Sequence, residues 1–378
     1  MMLALAPLAL AGPIFLDAGE LTYLDANGNW PRAFPTDDGW HLFYATEGEF
    51  WYQTMSDDLV TEFDERRELT GHRDLQDHAI SLCPDGTFLH FATASVVEND
   101  DSLYSFVYDA QANLLSENEL AYGDTNGKYV DVPSVCGETF RGTAYWADSV
   151  GEPFRYVEVD ATGAEVRRVD LDDAPGALGS SMLEDEGHLF AIGVGSKSDD
   201  DGVLVSEYDA ELEALEYVTV DLSEDPWQTS WTQGATRVGN VYLVIHIGQD
   251  TTQSWTPSEG SGDLWIEAFD LNWEPIDQMQ LTAIPPGDGG MQPGLAVKGD
   301  RVLGLFSIAQ DNVVVPVTID LDAAESWDDP RGGDDTDLPA DEDNPAPVDP
   351  TRECGCASGA APAWLGLLGV LATRRRRS

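Results

Sequence analysis

The chain has 378 residues, 70 of them acidic and 19 basic, for a formal net charge of -51. A surface that acidic repels nucleic acid and anionic membranes, which removes both as partners and leaves cations as the plausible small ones. A generally acidic secreted protein and a salt-adapted one fit this charge equally, since counterions screen the self-repulsion in either case.

The chain opens on an uncharged apolar run, Met1 to Ala11, whose Ala-Leu-Ala end offers a cleavage point before Gly12. It is too short to span a bilayer, so residues 1–11 are expected to be a signal peptide, with Ala11 as the processing residue. A repeat follows. The stretch Ser102-Leu103-Tyr104-Ser105-Phe106-Val107-Tyr108-Asp109 alternates like a strand and closes on an aspartate, and that pattern returns at Asp58, Asp160, Asp209, Asp270 and Asp320. A period near 50 residues, with several short strands per unit, predicts the blades of a β-propeller over residues 12–327.

Leu69, Leu120, Leu171, Val220 and Leu281 each sit eleven residues after one of these aspartates, as expected of a hairpin from third to fourth strand. After Asp320 that position is lost. The missing strand is found at the start, where Leu21-Thr22-Tyr23-Leu24-Asp25-Ala26-Asn27-Gly28 matches Leu120 to Gly127. The chain is therefore expected to be all-β, a six-bladed β-propeller whose last blade is completed by an N-terminal outer strand, which removes the open sheet edges. Inner strands are predicted near 30–35, 77–83, 131–136, 179–184, 233–238 and 292–298. Ser81 to Phe88 shares residue types with the Asp-box of sialidases, but its spacing and the strands it joins differ, so it is not assigned as one.

Residues 328–353 are dense in Asp, Gly and Pro and cannot bury a core, so they are expected to form a disordered acidic linker. Cys354-Gly355-Cys356 then precedes a short apolar segment from Ala360 to Ala372 and four arginines, Arg374 to Arg377. This order of motif, apolar run and basic stop in residues 354–378 resembles the MYXO-CTERM sorting signal of myxobacteria and their relatives. The resemblance implies export, a sorting protease as a partner, processing at Cys354 or Cys356, and cell-surface or outer-membrane anchoring through the tail or a lipid attached there. The plain alternative is a simple tail anchor, held by arginines on the cytoplasmic side.

In a propeller the entrances of the inner strands converge on the axis, which singles out Arg32, Arg73, Asp77, His78, Asp131, Gln233 and Gln292. Asp77 and Asp131, with His78 and Arg73 nearby, are the residue types a glycoside hydrolase needs for acid, base and substrate clamp. Five-bladed furanosidases use axial carboxylates, but that is fold analogy alone, and in a chain with 70 acids two axial aspartates are near chance. Trp227, Trp231 and Trp255 belong to the longest unit, whose excess lies in 248–262. With Gln233 and Gln292 they suit a binding face for a glycan, peptide or protein. Trp30 and Tyr129 occupy equivalent positions and are expected to pack between blades. Asp25 to Asn29 and Asp124 to Gly127 place oxygen ligands as a calcium loop begins, but without the closing glutamate, and a turn explains them more simply. No other cofactor is indicated. Cys83 and Cys136 fall at equivalent places in neighbouring units, which leaves open a disulfide or two buried thiols. The expected function is a surface-anchored, non-catalytic binding or adhesion module, with a surface glycosidase as the alternative.

Overall fold

A computed structural model describes residues 16–46, 48–62, 65–69, 75–97, 100–121, 134–136, 141–145, 154–171, 181–194, 203–220, 227–250, 262–284, 290–308 and 311–327. The chain begins with two short strands, β1 (Leu16–Ala18) and β2 (Thr22–Asn27). The first sheet follows, made of β3 (Asn29–Thr36), β4 (Gly39–Thr46), β5 (Glu49–Ser56) and β6 (Arg67–Glu68). The second holds β7 (Leu75–Leu82), β8 (Phe88–Val97), β9 (Asp100–Tyr108) and β10 (Leu114–Ala121). The third holds β11 (Ser134–Cys136), β12 (Arg141–Tyr145), β13 (Phe154–Val159) and β14 (Glu165–Leu171). The fourth holds β15 (Ser181–Asp185), β16 (His188–Val194), β17 (Val203–Tyr208) and β18 (Ala214–Val220). The fifth holds β19 (Trp227–Val238), β20 (Val241–Asp250), β21 (Asp263–Asp270) and β22 (Pro275–Gln280). Last come β23 (Gly290–Lys298), β24 (Arg301–Ile308), β25 (Asp311–Ile319) and the helix α1 (Leu321–Ser326).

Five sheets are four-stranded, and β23 to β25 make the core of a five-stranded closing sheet to which β1 and β2 both add along β25. Among the described residues every pairing is antiparallel, and the architecture is an all-β propeller. Successive sheets face one another, so their middle strands are buried on both sides and read as near-continuous apolar runs. Seven of the eight residues of β24 are buried, whereas the outermost β22 has none.

The repeat is built on one turn. Asp109 Oδ1 accepts from the backbone N–H of Gln111 at 2.9 Å and of Asn113 at 2.8 Å, while Ala112 N–H donates to the Asp109 carbonyl at 2.8 Å. These bonds hold the Asp109 carboxyl below its usual range, the Asn113 side chain contributing most. Asp160, Asp209 and Asp270 repeat the pattern, each followed by a bulge in the fourth strand. The residue three positions on must then be left-handed: Ala112, Gly163, Leu212 and Trp273 have φ of 56°, 78°, 66° and 66°. Left-handed backbone costs a non-glycine residue about 1 kcal/mol, and here burial offsets it. Ala112, Leu212 and Trp273 are each buried between their own sheet and the preceding one.

In the first sheet the repeat aspartate is not Asp58. Ser56 takes the role, accepting Val60 N–H on its hydroxyl at 3.2 Å and Leu59 N–H on its carbonyl at 2.9 Å, and Leu59 is left-handed at φ 63°. A serine hydroxyl replaces the carboxylate, and two following aspartates disguise the change. After Asp320 there is no fourth strand: Asp320 Oδ1 accepts Ala323 N–H at 3.0 Å and caps α1. The helix buries Ala324 between the fifth and closing sheets, and Asn240 N–H donates to the Ala324 carbonyl at 3.0 Å.

The closing strand comes in two pieces because β25 contains Pro316. Leu16 to Ala18 pair with Ile319 to Val317, and Thr22 and Tyr23 pair with Val314 and Val313. Pro316 has no N–H to offer, but its carbonyl accepts from Gly19 at 2.7 Å, and a Cβ on Gly19 would stand 2.9 Å from the proline ring. Asp25 then ties this strand to the first sheet, its N–H bonded to Thr61 Oγ1 at 2.8 Å and its carbonyl accepting from Gln53 Nε2 at 3.3 Å. Asp25 to Asn29 is thus strand joined to strand through Gly28, where a Cβ would meet the Ala45 carbonyl at 2.4 Å.

Candidate functional site

The inner strands carry a shared irregularity. Pairing lapses between Asn29 and Arg32 in β3, Leu75 and Asp77 in β7, Thr232 and Gly234 in β19, and Met291 and Gly294 in β23. In β3, β7 and β23 the bulge lies toward the end where the strand begins, and in β19 near its middle, and a bulge bends the strand and re-aims its side chains. In β3 and β23, from the first and closing sheets, the bulged segments are Trp30-Pro31 and Gln292-Pro293.

These two segments lock together. Trp30 has φ 52° and Gln292 φ 58°, both left-handed and both immediately before a proline. Trp30 N–H donates to Gln292 Oε1 at 3.3 Å. Arg32 Nη1 donates to the carbonyls of Pro31 and Pro293, each at 2.9 Å, so one guanidinium holds both bulges. The backbones approach so closely that a Cβ on Gly294 would stand 2.4 Å from the Pro31 carbonyl and 2.9 Å from Arg32 Nη1. Gln292 is only 7% exposed. Trp30 is half-buried. Strain at two adjacent non-glycine residues persists only where surroundings enforce it, and such strain gathers at binding and catalytic sites. Two matched X-Pro steps at equivalent strand positions were the sequence signal for this corner.

The other expected site residues fall as follows. Asp77 and His78 are placed in β7 by backbone, paired with Thr93 and Ala92. Arg73, Asp131, Trp255 and Tyr129 lie outside the described residues, as do Ala11, Cys354, Cys356 and the 124–127 segment. Trp227 and Trp231 lie within β19, paired with Asp250 and Ile247 because β20 runs on to Asp250, and Gln233 sits in the inner strand as expected, at the bulge between Thr232 and Gly234. Among the described residues no group of three or more His, Cys, Asp or Glu side chains gathers as a metal site.

Two polar groups of the fifth sheet were not foreseen. His246 is fully buried, and its Nε2 lies 3.1 Å from Glu267 Oε1, which also accepts from Gln278 Nε2 at 2.6 Å. Burial pushes the imidazole down to about 3, so it is neutral. Asp263 is raised by burial, against the opposing hydrogen bonds of Ile284 N–H, Thr282 and Gln280. Both networks anchor strands rather than face solvent.

Cys83 and Cys136 form a disulfide with a Cα separation of 4.8 Å. It joins the far ends of the inner strands β7 and β11, the end opposite the Trp30 corner.

No family model matches the chain, and no curated protein matches its sequence. Among solved structures, phage phi92 endosialidase is similar over 81% of this chain and 70% of its own, at 8% identity and a TM-score of 0.57. A subtype N10 neuraminidase-like protein of an A/little yellow-shouldered bat/Guatemala strain is similar over 80% of this chain and 99% of its own, at 11% identity and a TM-score of 0.48. SapL1 lectin, solved with alpha methyl fucoside, is similar over 74% of this chain and 88% of its own, at 10% identity and a TM-score of 0.46. At 8% identity the likeness to the endosialidase speaks to the fold alone.

Proposed function

We propose that the chain is an exported six-bladed propeller, anchored at the cell surface after its tail is processed, and that it acts as a non-catalytic binding or adhesion module for a glycan, peptide or protein. A count of six is supported by the five four-stranded sheets together with the closing sheet that β1 and β2 complete. Export is supported by the Cys83–Cys136 disulfide, since such bridges persist in oxidising compartments. Anchoring rests on the composition of residues 354–378, with the sorting protease and any attached lipid as the contacts the tail brings. Nucleic acid is disfavoured by the charge, and calcium is not required by this reading.

The observation that carries the binding reading is the Trp30–Gln292 corner, where strained backbone is held by neutral amides and a guanidinium already engaged with carbonyls. Among its described residues that arrangement sets an amide and a guanidinium beside an aromatic residue, with no carboxylate or imidazole. The alternative, a surface glycosidase, draws on Asp77, which stands at the matching bulge of β7. A glycan-array screen of the full chain separates the two. Retention without hydrolysis, unchanged in Asp77→Asn, is the expected result. Release of sugar from retained glycans, abolished in Asp77→Asn, would establish the enzyme instead.

A further inference from the structure

The turn that ends each third strand leaves a mark on the strand that follows. Between Tyr108 and Val107 the pairing of β10 skips from Leu114 to Ser116, so Leu115 is an extra residue at a bulge. Val166 in β14, Leu215 in β18 and Ile276 in β22 are skipped in the same way. All four are apolar. Leu115 and Val166 are 59% exposed and Leu215 is 52% exposed, on the outermost strands of their sheets, where neighbours such as Glu117 and Glu119 are polar. Exposed apolar residues scattered singly need no explanation, but the same bulge position left bare in three consecutive sheets does.

The three belong to one rim. Ser116 Oγ and Asn118 Nδ2, just beyond Leu115, donate to the Thr162 carbonyl in the turn before Val166 at 2.6 and 2.8 Å. Arg167 Nη2, next to Val166, donates to the Glu211 carbonyl in the turn before Leu215 at 2.6 Å. Each bulge is thereby fastened to the next sheet's turn, at the end of the sheets opposite the Trp30 corner. In the fifth sheet the row ceases to be bare: Ile276 is half-buried, packed against the apolar cluster to which Leu16 of β1 and Ala324 of α1 belong. A strand adds poorly to this rim, since a bulge interrupts each outer edge, so a partner must bind through side chains. Its charge follows from what stands there. Glu119, Glu211 and Glu213 are exposed on the same rim of a chain with net charge -51, while Arg167 is engaged with the Glu211 carbonyl and Arg168 with Glu165.

We infer that Leu115, Val166 and Leu215 form a docking rim for a basic amphipathic segment of a partner protein. Apolar residues of that segment cover the three bulge side chains, and its lysines or arginines face Glu119, Glu211 and Glu213. The rim is separate from the corner on which the binding reading rests, and it stands or falls without it.

The test uses the full chain and two synthetic peptides of equal charge, one an amphipathic leucine–lysine helix and one with serine in place of every leucine, followed by fluorescence anisotropy at physiological salt. The leucine peptide is expected to bind tenfold or more tightly than the serine peptide. Changing Leu115→Ser, Val166→Ser and Leu215→Ser together should remove that preference with an unchanged melting temperature, because the three side chains are exposed. Tyr23→Ser, which removes an exposed ring from β2 in the closing sheet, should leave the preference intact. No binding by wild type, or equal binding of the two peptides, would overturn the inference, since charge alone would then account for any attraction. So would an undiminished preference in the triple variant, or an equal loss in Tyr23→Ser. If the triple variant does not fold, Leu115→Ser and Val166→Ser taken singly decide, each expected to lower the preference severalfold. A glycan array that retains nothing while the peptide preference holds removes a glycan from the corner and leaves the rim.

Discussion

The seam between the first and second sheets and the seam between the second and third are built on the same turn and sealed by different chemistry. The first is aromatic: Phe34, Phe43 and Phe88 pack on one another, with the Phe43 and Phe88 centroids 4.9 Å apart, and the His90 ring stacks 3.9 Å from Phe50 and lies against Phe106 and Tyr108. The left-handed turn residue that enters it is Ala112. The second seam is aliphatic apart from Phe91, and its turn residue is Gly163, which brings no side chain. There Ser105 Oγ takes the space and donates to the Gly163 carbonyl at 2.6 Å, and the Cys83–Cys136 disulfide crosses between inner strands. Where a blade junction lacks an apolar plug, a covalent bond stands in its place. Ring closure needs every junction to hold, so the difference predicts distinct weaknesses.

The largest expected effect is at the second seam. The disulfide spans 53 residues of sequence, and removing a cross-link of that loop length frees unfolded-chain entropy worth about 4 kcal/mol in the loop-closure account. Reduction, or the paired change Cys83→Ala with Cys136→Ala, should lower the melting temperature by several degrees. Hydrogen exchange should rise first in β11 and β12, two of the shorter described strands. Exchange rising uniformly around the ring would mean that the bridge does not guard this junction in particular.

The second effect belongs to the aromatic seam and depends on pH. Burial holds His90 down at about 3 in the folded protein, against an ordinary value near 6.5 in the unfolded chain. The unfolded state therefore binds a proton first, so the stability in question is full above pH 6.5 and is lost as pH falls from there toward 3. By pH 5 the loss is about 2 kcal/mol for this residue, at 1.36 kcal/mol per pH unit of separation. His246 in the fifth sheet is lowered to the same degree, so His90→Phe should remove only its own share of the acid sensitivity. Comparing denaturant midpoints of wild type and variant at pH 7.5 and 5 isolates that share, because the general charge effects are common to both. An identical drop in the two proteins would show that His90 is not the titrating group.

The contrast also explains what could be read in advance. Periodicity disclosed the repeat, the strand-ending aspartates and the closing role of residues near Leu21, because each is local chemistry: alternating burial, an Asx turn, a matched exit segment. Ser56 was hidden because its hydroxyl does the carboxylate's work while Asp57 and Asp58 follow it. The split of the closing strand into two pieces follows from Pro316, more than 290 residues away along the chain, and no local pattern carries that information. For the site, Arg32 and Gln292 were each legible as residues of inner strands, but their union was not. It depends on a glycine, Gly294, that lets two distant backbones meet.

The smallest expected effect sharpens the comparison at its origin, the residue three places after each turn aspartate. Gly163 has φ 78°, and a Cβ there would meet Ser105 Oγ at 2.8 Å, so Gly163→Ala adds left-handed strain and disturbs the hydroxyl that bonds its own carbonyl. A destabilisation of about 1–2 kcal/mol is expected. The mirror change, Ala112→Gly at φ 56°, relieves about 1 kcal/mol of strain and surrenders about 0.8 kcal/mol for one buried methyl, so the two nearly cancel. Chemical denaturation should therefore find Ala112→Gly within about 0.5 kcal/mol of wild type while Gly163→Ala is clearly weaker. Should Ala112→Gly prove as costly as Gly163→Ala, the aromatic seam would depend on its small plug far more than the rings around it imply.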